Sequence, residues 1–154
     1  MKSNAGFTLM ELMVTIAIIG TLSAVAVPNM ISWRNNAQFN SGVRQMKIAI
    51  EGTRMKAIKA NMPSRMVFTD GGTTFDTEKW DSAANAFAAP QTHQLPPGVR
   101  LANSNFGGDQ LRFDGRGMPN TLLGGTLQIE NTDGSRCLRI IVASVGTSRI
   151  DECP

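Results

Sequence analysis

FTLMELMVTIAIIGTLSAVAV, from Phe7 to Val27, carries a single charge, Glu11, and is closed by Pro28. A helix of this length rises roughly 30 Å, the thickness of a bilayer's hydrocarbon core. A secretory signal peptide is the obvious competitor, but its apolar run is shorter and its cleavage site follows that run. Here a short polar leader, MKSNAG, ends in Gly6 immediately before the apolar stretch. A cut at that point removes the leader and leaves the helix on the mature chain. Charge does not orient the segment: Lys2 favours a cytoplasmic N-terminus, while Arg34 and Arg44 lie beyond the span.

Outward from that stretch the pattern stays helical and becomes amphipathic. Phe39, Val43, Met46, Ile50, Thr53 and Ala57 recur in steps of four and three, which puts them on one face. Asn61-Met62-Pro63 supplies a stop, so one helix is expected from about Thr8 to Asn61, with a bend at Pro28. Beyond it, Arg65–Thr69, Gly98–Leu101, Gln110–Asp114, Gly125–Asn131 and Arg136–Ala143 read as strands separated by Gly-, Pro- and Asn-rich turns. Lys79–Gln94, rich in Ala, Asn and Gln, reads as a loop.

The expected fold class is α+β: a long N-terminal helix, transmembrane in its first half and amphipathic in its second, packed on a C-terminal antiparallel β-rich head. The segments are 1–6 leader, 7–28 membrane or filament-core helix, 29–62 amphipathic helix and 63–154 head. The 154 residues suit one anchored domain, and the head has no Tyr, so its core rests on aliphatic side chains, Met and Phe. Between Asn29 and Arg65 stand Arg34, Arg44, Lys47, Arg54, Lys56, Lys59 and Arg65 against Glu51 alone, whereas from Met66 onward seven basic residues meet ten acids. This layout is a cationic stalk with a mildly acidic head; the stalk's cations suit anionic lipid, nucleic acid or acidic neighbours, or simply the solvated side of a helix.

Gly6-Phe7-Thr8-Leu9-Met10-Glu11 resembles the GFTLxE signal of type IV prepilins and type II secretion pseudopilins. The resemblance implies that a prepilin peptidase cleaves between Gly6 and Phe7 and methylates the amine of Phe7. It also implies that Glu11 sets the register of assembly by meeting a neighbouring subunit's N-terminal amine. A lone carboxylate in a membrane helix costs on the order of 2.5–3.5 kcal/mol and calls for such a partner; the alternative is that Glu11 snorkels and favours the positive helix end. In the head, Ala57-Ile58-Lys59 leading into Arg65-Met66-Val67-Phe68, Leu111 to Gly117 (LRFDGRG), and Arg139 to Gly146 (RIIVASVG) are similar to the GspH/FimT group of minor pilins.

If the tail folds back about Val145, positions summing to 290 face each other and Cys137 lies opposite Cys153. A bridge would close a loop of about 16 residues and contribute roughly 3 kcal/mol; two free thiols are the alternative. Some FimT-like pilins bind DNA through a GRxR-type tail motif, and the matching positions read Gly146-Thr147-Ser148-Arg149. One arginine is replaced, and Asp151 and Glu152 follow, so a nucleic-acid site built from Arg136, Arg139 and Arg149 is the weakest of the expected partners.

Enzymatic patterns are missing. His93 is the single histidine, expected as a solvated loop residue, and the cysteines lack metal-ligand spacing. No cofactor and no catalytic activity are expected. The expected role is a minor pseudopilin or minor pilin of the bacterial inner membrane, head in the periplasm, with a prepilin peptidase, other pilins and membrane lipid as partners. A major structural pilin and a DNA-binding minor pilin for DNA uptake are the rival readings.

Overall fold

The computed structural model describes residues 7–121 and 124–154; the leader expected at 1–6, Gly6 included, lies outside them. Helix α1 runs from Leu9 to Ala60 without interruption at Pro28. Its start is capped locally. The Thr8 hydroxyl accepts the backbone N–H of Glu11 at 3.2 Å, the N-cap to N3 bond of a capping box whose T-x-x-E spacing the chain carries. Its end is a Schellman turn. Asn61 takes the left-handed conformation (φ 50°), with Asn61 N–H donating to Ile58 O and Met62 N–H to Ala57 O, both at 3.2 Å.

Two compact units divide between Ala37 and Gln38. In the first, every described residue from Phe7 to Ala37 is exposed. Within the apolar run two threonines turn inward on the helix: the Thr15 hydroxyl donates to Leu12 O at 2.8 Å and Thr21 to Ile18 O at 2.9 Å. Those hydrogen bonds leave an almost uninterrupted apolar surface.

The second unit, Gln38–Pro154, holds the core. The helix buries Phe39, Gly42, Val43, Met46, Ile50, Thr53 and Ala57, the face that the four–three spacing predicts together with one glycine. Gly42 is small for a reason: a Cβ there would meet Val99 Cγ1 at 3.0 Å. Among the described residues nine strands follow: β1 Ser64–Phe68, β2 Thr74–Asp81, β3 Ala86–Phe87, β4 Gln91–Gln94, β5 Val99–Ser104, β6 Gln110–Phe113, β7 Gly125–Asn131, β8 Cys137–Val142 and β9 Ser148–Glu152. They form two antiparallel sheets, one in the order β3-β2-β1-β6 with β4 also on β2, the other β5-β7-β8-β9. Strict alternation in β1 and β7 points Met66, Phe68, Leu127 and Ile129 inward. Each such side chain is worth about 1.5–3 kcal/mol on burial. The β1–β2 turn stitches the sheets together, since Gly71 N–H donates to Leu101 O at 2.7 Å and Leu101 N–H to Gly72 O at 2.8 Å.

The expected loop at Lys79–Gln94 is corrected. β2 extends through Lys79 to Asp81, β3 returns on it, and β4 pairs with its first half. Composition argued for a loop, but specific contacts override it. Trp80 and Phe87 face each other across the ladder with rings 5.1 Å apart and perpendicular, a pairing that stabilises hairpins. The Asp81 carboxylate accepts from Ala83 N–H at 2.9 Å and closes the turn. His93 is corrected as well: on β4 it is half-buried, stacked on Phe75 at 5.1 Å and hydrogen-bonded to the Thr77 hydroxyl at 3.1 Å.

Candidate functional site

The N-terminal unit is the first site. Phe7 is 85% exposed, Glu11 sits at the N3 position of α1, and Leu9–Ala60 is long and apolar enough at its start to cross a membrane. With Thr8 satisfying the Glu11 backbone N–H, the Glu11 carboxylate remains beside the positive end of the helix. The arrangement places Phe7 and the acid Glu11 about one helical turn apart at the start of the apolar run.

The tail is the second. β8 pairs with β9 with Leu138 opposite Glu152, Arg139 opposite Asp151 and Ile141 opposite Arg149, so the register centred on Val145 holds. Cys137 and Cys153 are joined by a disulfide across 16 residues, with Cα atoms 5.7 Å apart. The three tail arginines do not form one patch. Arg139 and Arg149 share a face through their registered partners, and both reach the Asp151 carboxylate, at 3.5 Å and 3.9 Å. Arg136 instead lies over the Phe39 ring, 4.9 Å from its centroid.

A feature that sequence reading missed explains the glycines of the head motifs. Arg54, half-buried on α1, donates from Nε to Gly117 O at 3.0 Å and from Nη2 to Val145 O at 3.2 Å. Gly117 and Gly146 both have positive φ, 79° and 82°. A Cβ on Gly146 would press on the Gly117 carbonyl and lie 2.7 Å from Arg54 Nε, and one on Gly117 would lie 2.6 Å from Ile58 Cδ1. One guanidinium therefore ties the loops after β6 and β8 to the helix. The signal was available in the two glycines, and its partner was hidden among seven stalk cations. Next to this latch, Asp114 accepts from Met118 N–H at 2.8 Å and Arg116 N–H at 2.9 Å. The Met118 bond foremost, with the Arg116 bonds and charge, holds its carboxyl below the ordinary value.

Comparison with known proteins separates the two regions. Residues 42–146 match the family described as Type II transport protein GspH, and residues 1–27 match the prokaryotic N-terminal methylation motif. The type IV major pilin PilA of Myxococcus xanthus is 43% identical over 44 residues, 29% of this chain and 20% of its own. FimA of Dichelobacter nodosus is 43% identical over 65 residues, 40% of this chain and 41% of its own. The chain thus spans well under half the length of these relatives. The pilin-like protein PilA1 of Thermus thermophilus is 25% identical over 97% of this chain and 99% of its own. Among solved structures, the minor pseudopilin EpsH of the Vibrio cholerae type 2 secretion system aligns with TM-score 0.62 at 14% identity, covering 75% of this chain and 97% of its own. The type IV minor pilin FimU of Pseudomonas aeruginosa aligns with TM-score 0.58 at 17% identity, covering 79% and 92%. At these identities the two structures establish the pilin fold alone. With a family profile covering the head from within the helix to Gly146, the chain belongs to the GspH family of pilin-like proteins.

Proposed function

We propose that this chain is a non-catalytic minor pilin or pseudopilin. A prepilin peptidase cleaves it between Gly6 and Phe7 and methylates the Phe7 amine. It resides in the inner membrane as a single-pass protein with its head in the periplasm, and then joins or primes a filament. The observation that carries this reading is the apolar helix itself: from Phe7 to Ala37 it buries nothing within its own chain, yet it keeps one carboxylate, Glu11, at its start. Apolar surface on this scale demands lipid or sibling helices, and the carboxylate demands a cation in the same environment. A neighbour's methylated amine meets that demand and fixes the axial stagger of packed helices.

Intact-mass measurement of protein recovered from membranes tests processing. The expected species begins at N-methylated Phe7; recovery of an intact leader, or of a chain cut near Pro28, overturns the reading. Assembly is tested by Glu11→Leu and Glu11→Asp. Breaking one buried ion pair by removing a partner costs about 3–5 kcal/mol, at least a hundredfold, against incorporation of the Leu variant. The Leu variant remains membrane-inserted and cleaved but drops out of filaments, while the Asp variant retains part of its incorporation.

A further inference from the structure

The outer side of the β3-β2-β1-β6 sheet has a charge that the fold leaves unanswered. Arg65 and Arg112 stand directly opposite each other on β1 and β6, an arrangement of like charges that ordinarily opposes pairing. Arg65 is neutralised: its Nη2 lies 2.7 Å from Glu78 Oε2, its Nε donates to the same oxygen, and its guanidinium stacks on Phe87 at 4.0 Å. Arg112 is exposed, leans over the edge of the same ring at 5.6 Å, and has no acidic partner among the described residues.

Both arginines line a cleft of about 410 Å³ together with Phe87, Gln110, Met118 and Asn120. Its hydrogen-bonding polarity is one-sided. The Gln110 side-chain oxygen is consumed by Arg65 Nη1 at 3.2 Å, and the Asn120 oxygen by the Arg112 backbone N–H at 3.2 Å. Each amide oxygen thus already accepts one bond within the fold, the side-chain NH₂ groups remain to donate, and Arg112 offers only donors. The acid at the rim, Asp114, is spent on the backbone of Arg116 and Met118 and on the Arg116 guanidinium at 3.5 Å. Amide donors around a guanidinium without an acidic partner favour an oxyanion, Asp114 being the one acid of the lining. Asp114 repels a dianion, while Phe87 and Met118 supply an apolar wall for a hydrocarbon stem.

We propose that this cleft is a docking site for an acidic side chain presented by a partner protein, its carboxylate received by Arg112 with the Gln110 and Asn120 amides beside it. The site is independent of the membrane and filament reading: every lining residue lies in the second unit, and its test requires no filament.

The full chain in detergent micelles is titrated with a fluorescein-labelled tetraglutamate peptide, with unlabelled tetraglutamine and inorganic phosphate as competitors. Saturable anisotropy that falls with added salt is expected. Arg112→Gln weakens it about tenfold, the loss of one charge-assisted contact. Asn120→Asp does the same while keeping an oxygen for the Arg112 N–H, and Arg149→Gln on the other sheet changes nothing. Unchanged near-ultraviolet circular dichroism verifies the fold of each variant. Absence of tetraglutamate binding, equal competition by tetraglutamine, or an unchanged affinity in Arg112→Gln overturns the proposal. Displacement by phosphate at matched concentration overturns it too, since the ligand would then be a phosphate.

Discussion

Gly146 illustrates how a motif position acquires its identity from a distant residue. It stands in the turn between β8 and β9, and its constraint is the Arg54 latch and the Gly117 carbonyl. Replacement by Ala adds an unfavourable backbone conformation and a steric collision, together about 1–3 kcal/mol. Denaturant unfolding of Gly146→Ala in micelles should show that loss. Gly134→Ala, also at positive φ (72°) but facing open space, should lose less. Asp114 yields a prediction of the opposite kind, about pH. Its folded pKa lies below the ordinary 3.8, so its stabilising effect is complete above that value and is lost only as pH falls through the lower folded value. The amide shifts of Met118 and Arg116, followed by NMR, should titrate with a midpoint below 3.8. A midpoint at or above it would show that the turn bonds do not hold in solution.

At the scale of elements, β9 is the strand most dependent on a single covalent link. It pairs on one side only, with β8, at an edge of the four-stranded sheet. Reduction of Cys137–Cys153 should cost about 3 kcal/mol by the chain-entropy estimate for a loop of this size. Hydrogen exchange should quicken in Ser148–Glu152 first, with β5 and β7 retaining protection. The hairpin register and the cysteine pairing were legible because a tight turn at Val145 leaves few ways to fold back. The helix seam from Phe39 to Ala57 was legible for a similar reason, since its period is written in large apolar residues. β3 and β4 were not. Phe87 and Thr92 favour strands, but they stand among Ala, Gln and His in runs of two and four residues, too short to show a period, and what orders them is contact with Trp80 and Phe75. The Arg112 cleft was equally hidden, because sequence cannot show which arginine's carboxylate partner is already taken.

For the whole molecule, the division at Ala37/Gln38 separates an exposed stretch of helix from the unit that holds the core. All of the large buried side chains lie at Phe39 or beyond, so a chain beginning at Gln38 should fold in water without detergent and sediment as a monomer. A chain beginning at Phe7 should stay dispersed only with detergent or lipid. Aggregation of the shorter chain, or detergent-free solubility of the longer, would contradict that division.

The bridge between Cys137 and Cys153 has a mechanical consequence. A load applied to the chain after Cys153 cannot peel β9 away bond by bond, because the sulfur bridge passes it straight to the beginning of β8. There it meets a strand gripped on both flanks, by β7 and β9, instead of an edge strand held on one.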